Sequence, residues 1–192
     1  MSSWIVVGFG GVTCGGKTTI SNELHKMIPN SVIIHQDDYF HPMGSEVLEY
    51  IEEVQHYNWD TVTAIDSERM INDVKQIISC KSHGDGGVLI VEGTLVLHIE
   101  QLRRLCDFKY YLTLPYTISK QRRCRKNYEI PDPPLNFDKI VWPAYLRHTE
   151  QLEQLDSTIR FVDTNDNDES TVIRNIMSDL SSVRTFNTPS NR

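Results

Sequence analysis

The sequence predicts an α/β fold in which a five-stranded parallel sheet carries helices on both faces. Short apolar segments alternate along the chain with segments of helical character, and this order is typical of parallel strands joined by crossover helices. The apolar segments are rich in β-branched and aromatic residues with few polar interruptions, as expected of strands that are covered on both sides. In such a doubly wound sheet, ligands bind at the carboxyl ends of the strands.

Five strands and five helices are predicted along the chain. Apolar runs predict strands at residues 4–8, 32–36, 88–91, 108–114 and 159–163. Helical periodicity predicts helices at residues 17–27, 67–79, 117–126, 137–154 and 168–182. Residues 83–87 are predicted to form a turn that leads into the third strand. We expect one domain over residues 1–183, with a small helical lid at about residues 117–136, and a disordered tail at residues 184–192 that has little to bury.

Composition and charge restrict the class of protein. The chain has 192 residues, of which 39% are hydrophobic and 23% charged, as is ordinary for one globular domain. Its formal net charge of −7 argues against a nucleic-acid binder, which usually carries a basic surface. No apolar run approaches the ~20 residues of a membrane span, and the N-terminus lacks the basic segment of a signal peptide. The four cysteines include no C-x-x-C pair, which fits a reduced compartment better than a zinc site. We expect a cytoplasmic monomer whose partners are small molecules, with no nucleic acid and no membrane among them.

The strongest motif lies between the first strand and the first helix. It matches the phosphate-binding pattern G-x-x-x-x-G-K-[ST], and both its flanking elements are those that the pattern requires. Glycines at 11, 15 and 16 let the backbone curl so that its N–H groups point at phosphate oxygens, and the helix N-terminus that follows favours negative charge. Lys17 brings a positive charge to the β- and γ-phosphates, and Thr18 offers its hydroxyl to Mg²⁺. The predicted nucleotide-binding residues of this P-loop are Gly11, Val12, Thr13, Cys14, Gly15, Gly16, Lys17, Thr18 and Thr19.

Acidic residues follow the second and third strands. Asp37 and Asp38 come directly after the second strand, at the edge where ligands are expected. A carboxylate there can accept a proton from an attacking hydroxyl or hold a metal through water. The alternative is that one of them only caps the next loop or helix. Glu92 follows the third strand, where P-loop enzymes often place an acid that orients Mg²⁺; the alternative is a glutamate in a surface turn.

A basic cluster at residues 120–126 stands out against the acidic background. Arg122 and Lys126 share one helix face at i and i+4, whereas Arg123 points about 100° away and can address a different ligand. Such a cluster suits a lid that closes over a triphosphate, because charge spreads over the transferred group in the transition state. Arg125 is the alternative to Lys126 for contact with the nucleotide. A solvated basic helix face is the other interpretation.

The segment Tyr57-Asn58-Trp59-Asp60 precedes the second helix. An aromatic ring beside a carboxylate suits a flat heterocycle joined to a sugar diol. Taken alone, however, Trp59 is better explained as a packing residue and Asp60 as a helix cap.

Together these residues resemble the nicotinamide riboside kinases, within the larger group of uridine-kinase-like P-loop kinases. The resemblance runs from about Val6 to Asp163. The P-loop is widely shared, and the remaining motifs are much more specific. Besides the P-loop these motifs are Gln36-Asp37-Asp38-Tyr39-Phe40, Asn58-Trp59-Asp60, Val91-Glu92-Gly93, Arg122-Arg123, Tyr128 with Pro131-Asp132, Phe137-Asp138 and Val141-Trp142-Pro143 with Tyr145-Leu146.

The resemblance implies an enzyme that transfers the γ-phosphate of ATP to the 5′-hydroxyl of nicotinamide riboside, and also of nicotinic acid riboside, for NAD synthesis. It implies Mg²⁺ as cofactor, held directly by Thr18 and supported by Glu92, with Asp37 near the ion. Asp37 would be the general base, with Lys17 as a second catalytic residue. Arg122 and Lys126 would reach the ATP phosphates. The implied substrate-binding residues are Asp37, Asp38, Tyr39, Phe40, Trp59, Asp60, Arg123, Tyr128 and Glu129; among them Asp60 and Arg123 would hold the ribose hydroxyls, and Trp59 and Tyr128 would enclose the pyridine ring.

Two other hypotheses remain open at this level. A kinase for uridine, cytidine or another nucleoside would use the same P-loop and acids. A non-catalytic nucleotide sensor would bind ATP without transferring phosphate, but it would have no need of a base such as Asp37.

Overall fold

A computed structural model describes residues 4–80, 87–128 and 131–183 of the chain. Its centre is a five-stranded sheet with the order β2-β5-β1-β6-β7, in which every neighbouring pair of strands is parallel. A separate two-stranded antiparallel hairpin is formed by β3 and β4. The strands are β1 Ile5–Gly11, β2 Ser31–His35, β3 Tyr50–Ile51, β4 His56–Tyr57, β5 Val88–Glu92, β6 Phe108–Thr113 and β7 Arg160–Asp163.

Helices cover both faces of the sheet. The side chains of α1 and α6 pack with Val7 and Phe9 of β1 in one buried cluster, whereas those of α2, α3 and α5 pack with Val6 in another. This alternation follows from the strand geometry, since successive side chains point to opposite faces. The helices are α1 Lys17–Met27, α2 Ser67–Ser79, α3 Glu100–Leu105, α4 Tyr116–Cys124, α5 Trp142–Leu155, which follows a π-helical turn at Phe137–Val141, and α6 Glu169–Ser181.

The predicted fold class is confirmed, because all five predicted strands and all five predicted helices are present. Sequence patterns missed the β3–β4 hairpin and α3, since strands of two residues and a helix of six are too short to show a period. Residues 81–86 and 184–192 lie outside the described ranges, and they hold most of the predicted turn and all of the predicted tail. No helix within the described ranges is long and apolar enough to cross a membrane.

The strand register brings the second and third strand ends together. His35, the last residue of β2, and Phe9 of β1 both pair with Glu92, the last residue of β5. The P-loop therefore begins beside Glu92, at the carboxyl edge where a doubly wound sheet binds its ligands.

A half-buried histidine pair joins the 3₁₀ turn at Val96–His98, which follows β5, to α5, and it predicts a pH dependence of stability. The rings of His98 and His148 lie 4.6 Å apart, and burial lowers the pKa of His148 to about 4, with His98 adding to the shift. The unfolded histidine titrates near 6.5, so between these pH values the unfolded chain binds the proton that the folded chain does not. Stability is then full above pH 6.5 and falls as the pH drops toward 4.

We expect this histidine to lower the free energy of unfolding by up to about 2 kcal/mol between pH 7 and pH 5. Urea unfolding of the wild type and of His148→Asn at the two pH values measures the effect. The variant should lose less stability on acidification, and an equal loss in both proteins would contradict the assignment.

Candidate active site

A cavity of about 700 Å³ opens at the carboxyl edge of the sheet. Its lining comes from the P-loop, from the segment between β4 and α2, and from α4 with the residues after it. Most of the predicted site residues line it together. They are Thr13, Cys14, Gly15, Gly16, Lys17, Thr18, Thr19, Asp37, Phe40, Trp59, Asp60, Glu92, Arg122, Arg123, Lys126 and Tyr128.

Two positions in the P-loop show why its glycines are needed. Gly11 has φ +115°, and a Cβ atom there would lie 2.1 Å from the carbonyl oxygen of Leu112 in the neighbouring strand. Gly16, directly before α1, has φ +90°. Both values fall in the region that side chains disfavour, so the loop can curl into the first turn of the helix only with glycine at these positions.

Lys17 lies at the centre of this loop. Its side chain is buried, and Nζ donates hydrogen bonds to the carbonyl oxygens of Gly11 (3.1 Å) and Val12 (2.7 Å). Burial lowers the pKa of Lys17, while Glu92 and Asp37 oppose that shift. The ammonium group is therefore held inside the curl of the loop, at the wall of the cavity.

Thr18, Glu92 and His35 form a hydrogen-bonded chain beside the lysine. The Thr18 hydroxyl donates to Glu92 Oε1 at 3.0 Å, and His35 Nδ1 lies 2.7 Å from the same oxygen. Glu92 is 5% exposed, so a surface-turn glutamate is excluded. A buried carboxylate thus sets the direction of the hydroxyl at the first turn of α1.

Asp37 presents its carboxyl to the cavity from a short 3₁₀ helix at Gln36–Tyr39. The carboxyl is open to the cleft, but the surrounding protein raises its pKa by desolvation, and Glu92 raises it further. Lys126 and Lys17 oppose the shift, so positive charge from two elements reaches this carboxylate.

The guanidinium of Arg123 is held in one orientation by the carboxylate of Asp132. Its Nη2 donates to Asp132 Oδ1 at 2.9 Å, its Nε donates to the other oxygen, and its Nη1 donates to the Thr13 hydroxyl at 3.0 Å. Asn136 also donates to Asp132 at 2.9 Å. This bidentate pair locks the guanidinium plane against the P-loop, and it lowers the pKa of Asp132 despite burial.

Arg122 and Lys126 also face the P-loop side of the cavity. Arg122 Nη1 donates to the Cys14 carbonyl at 3.3 Å, and Lys126 Nζ lies 4.9 Å from the ring centre of Tyr128. Lys126 lines the cavity, whereas Arg125 does not. The predicted helix face shared by Arg122 and Lys126 is wrong, because α4 ends at Cys124, before Lys126; Arg122, Arg123 and Lys126 nevertheless all line the cavity.

Aromatic side chains bound the cavity at two places. Trp59 packs edge-to-face with Phe40, at 5.5 Å between ring centres, and with Tyr57 at 6.1 Å. Tyr128 lies under Arg123, with its hydroxyl 3.8 Å from the Cys14 sulfur. Trp59 is only partly buried, so it has a free surface toward the cavity as well as a packing role.

Asp60 lines the cavity beside Trp59. Its role is not that of a helix cap, since the N-cap of α2 is Asp66, which accepts from the Arg69 amide. Desolvation raises the pKa of Asp60, and the nearby Arg123 opposes the shift. A carboxylate and a guanidinium thus face the same part of the cavity.

Several predicted residues do not line the cavity. Tyr39 points to the opposite side, where its hydroxyl donates to Asp73 at 2.7 Å, and Asp38 is exposed and bonds Arg69 only through its carbonyl oxygen. The 3₁₀ helix explains this, because side chains on it are about 120° apart and cannot all face one cavity. Gly11 and Val12 are buried under the loop and act through its backbone shape. Glu129 lies outside the described residues.

Six cavity residues had no predicted role, among them Asp132 and His56. Asp132 appeared only as part of a motif, and His56 not at all; His56 is brought near Arg123 and Asp132, which lie far from it in the chain, only by the fold. The cavity is also lined by His41, Met43, Gly93 and Thr94.

Comparison with known proteins points to one family. A family model described as an AAA domain matches residues 7–143. Nicotinamide riboside kinase 1 of Rattus norvegicus is 37% identical over 172 residues, covering 82% of this chain and 85% of that protein. Uridine kinase of Borrelia hermsii is 28% identical over 141 residues, covering 64% and 66%. Among solved structures, thymidylate kinase from Candida albicans superimposes with a TM-score of 0.60 at 15% identity, covering 94% of this chain and 92% of that one.

Proposed function

Since the chain belongs to the nicotinamide riboside kinase family, we propose that it transfers the γ-phosphoryl group of ATP to the 5′-hydroxyl of nicotinamide riboside. The product is the mononucleotide used for NAD synthesis, and nicotinic acid riboside is a second substrate. One observation carries the proposal: a single cavity is lined by the P-loop, by Asp37 and by Trp59 and Asp60. That arrangement suits a triphosphate at one end and a riboside at the other.

The phosphate end needs positive charge and directed N–H groups. The curled backbone from Gly11 and the N-terminus of α1 supply the N–H groups, and Lys17 supplies a buried ammonium. Arg122 and Lys126 add two cations from α4 and the residues after it. As negative charge spreads over the transferred group, these side chains stabilise it, and the α4 segment closes over the phosphates as a lid.

The residues beside Lys17 fit a magnesium ion. Thr18, Glu92 and Asp37 offer one hydroxyl and two carboxylates, and oxygen ligands of this kind are those that Mg²⁺ prefers. Within the described ranges, no group of three His, Cys, Asp or Glu side chains could hold a metal ion by itself. This agrees with an Mg²⁺ ion that is held largely by phosphates and water. The chemistry that Mg²⁺ supplies when bound is neutralisation of phosphate charge. We propose that Thr18 is the direct ligand and that Glu92 orients it.

Asp37 is the proposed general base. It lies at the carboxyl end of β2 and faces the cavity between the P-loop and Asp60. A carboxylate there accepts the 5′-hydroxyl proton as the oxygen attacks the γ-phosphorus. Its desolvated environment strengthens it as a base, because a raised pKa increases its affinity for that proton.

Asp60 and Arg123 are the proposed ribose ligands. Asp60 accepts hydrogen bonds from the two ribose hydroxyls, and Arg123 donates from a guanidinium that Asp132 holds in one orientation. The heterocycle lies against Trp59, with Tyr128 on the lid side. A cationic pyridinium in this place gains from the Trp59 face and from the neighbouring carboxylates.

Trp59→Ala should raise KM for nicotinamide riboside by roughly 2- to 30-fold, the equivalent of a cation–π contact of about 0.5–2 kcal/mol. ATP affinity should change little, because Trp59 lies away from the P-loop, and Trp59→Phe should retain part of the effect. Steady-state kinetics with each substrate varied in turn measures both constants. A fall in ATP affinity would instead assign Trp59 to the core.

Transfer itself is tested with γ-labelled ATP, Mg²⁺ and nicotinamide riboside, followed by identification of the labelled product. The proposal predicts the 5′-mononucleotide and no label on any other hydroxyl. Nucleotide binding without transfer to any riboside would support the sensor hypothesis instead. We propose that the enzyme acts as a cytoplasmic monomer.

A further inference from the structure

His56 is a largely buried imidazole at the edge of the cavity. It is the first residue of β4, it is 9% exposed, and it lines the cavity with Trp59. Within residues 4–80, 87–128 and 131–183, neither of its ring nitrogens has a hydrogen bond to protein. Its nitrogens are not among the fully enclosed polar atoms that lack a partner, so the ring is open to the cavity, where a ligand can supply the hydrogen bonds that the described protein does not.

The charged groups that act on His56 are Asp132 and Arg123, and they are hydrogen-bonded to each other. Asp132 and Arg123 both act on its pKa, but both Asp132 oxygens accept from Arg123 and one also accepts from Asn136. Burial lowers the pKa of His56, so its ring is neutral at pH 7. A neutral imidazole offers one donor and one acceptor. The hydrogen-bonding capacity of the ring is therefore left for a ligand in the cavity, because the nearest charged pair, Asp132 and Arg123, is already hydrogen-bonded to itself.

We propose that His56 binds the carboxamide of the nicotinamide ring and is a specificity-determining residue for the amide riboside. This inference rests on the proposed function. His56 stands three residues before Trp59 and lines the same cavity, and the charged groups that act on it are Asp132 and Arg123. A carboxamide presents a carbonyl acceptor and an N–H₂ donor, which match the two capacities of a neutral imidazole.

The same environment disfavours the acid riboside. A carboxylate has acceptors only, so it uses the donor of His56 and leaves the acceptor nitrogen without a partner. Its negative charge would also lie near Asp60 and Asp132; Arg123 is the positive charge that acts on both His56 and Asp60, whereas Lys17 acts on Asp60 alone. The amide should therefore have the lower KM of the two substrates.

The test compares nicotinamide riboside with N-ribosylpyridinium, which has the same cationic ring and sugar but lacks the carboxamide. His56→Phe and His56→Leu remove the ring nitrogens, and His56→Gln keeps a donor and an acceptor. With the nitrogens removed, KM for nicotinamide riboside should rise about 3- to 10-fold, as for the loss of one or two hydrogen bonds. In the same two variants, KM for N-ribosylpyridinium should change less than about twofold. The His56→Gln variant should have a KM for nicotinamide riboside close to that of the wild type.

The outcomes separate the two proposals. If the wild type does not phosphorylate nicotinamide riboside, the proposed function fails. If it does, but the variants lose equally on both substrates, His56 has a structural role and the inference is overturned. Unchanged KM for nicotinamide riboside in His56→Phe and His56→Leu overturns it as well. Thermal unfolding of each variant identifies any that has lost the fold. If one of His56→Phe and His56→Leu is lost in this way, the KM values of the other one test the inference.

Discussion

Replacing Asp37 with alanine is expected to lower turnover of nicotinamide riboside at least ~10²-fold, the usual contribution of a general base. The carboxyl is the acid that the 3₁₀ helix turns into the cavity, between the P-loop and Asp60. ATP affinity should persist, because the P-loop backbone and Lys17 hold the phosphates without it. Steady-state kcat and the dissociation constant of ATP measure the two effects.

Asp38→Ala is the matched control for this variant. The two acids are adjacent and carry the same charge, but Asp38 lies outside the cavity and contacts Arg69 only through its backbone. Turnover should stay within about twofold of the wild type, as for most exposed positions. Near-normal turnover in Asp37→Ala, or a comparable loss in Asp38→Ala, would remove Asp37 from the role of base.

Replacing Asp60 with alanine is expected to lower kcat/KM for nicotinamide riboside by about 10²-fold or more, since two hydrogen bonds to a charged acceptor are lost. The wild type should also discriminate against the 2′-deoxyriboside by a similar factor, because one hydrogen bond to the Asp60 carboxylate would then be missing. In Asp60→Ala this discrimination should largely disappear. Kinetics of both enzymes on both substrates measure the coupling.

Two results would contradict a ribose role for Asp60. One is a variant that still rejects the 2′-deoxyriboside as strongly as the wild type does. The other is a fall in ATP affinity together with the loss of turnover, which would indicate general damage to the cavity. Asp60→Asn, which keeps one acceptor oxygen, should fall between the wild type and the alanine variant.

The parts of the site that sequence predicted well are those set by neighbours in the chain. The P-loop conformation depends on Gly11, Gly16 and the strand and helix that flank them. Glu92 follows from a strand end, because parallel strands deliver their last residues to one edge. A motif or an element boundary is enough to predict such positions.

The parts that sequence predicted less well depend on rotation and on distant contacts. Tyr39 and Asp37 lie in one motif, yet the 3₁₀ helix sends one to Asp73 and the other to the cavity. The pairing of Arg123 with Asp132 requires the chain after α4 to fold back. The place of His56 depends on a hairpin whose strands are too short to predict. Local patterns carry no signal for these arrangements.

Selectivity among acceptor substrates tests the central claim most directly. With saturating ATP and Mg²⁺, kcat/KM of the wild type is measured for nicotinamide riboside, uridine, cytidine and pantothenate. The Trp59, Asp60 and Arg123 arrangement predicts that nicotinamide riboside is preferred over each of the others by at least about tenfold, since a cation–π contact of about 1.4 kcal/mol alone supplies that factor. A higher kcat/KM for a pyrimidine nucleoside would contradict the account.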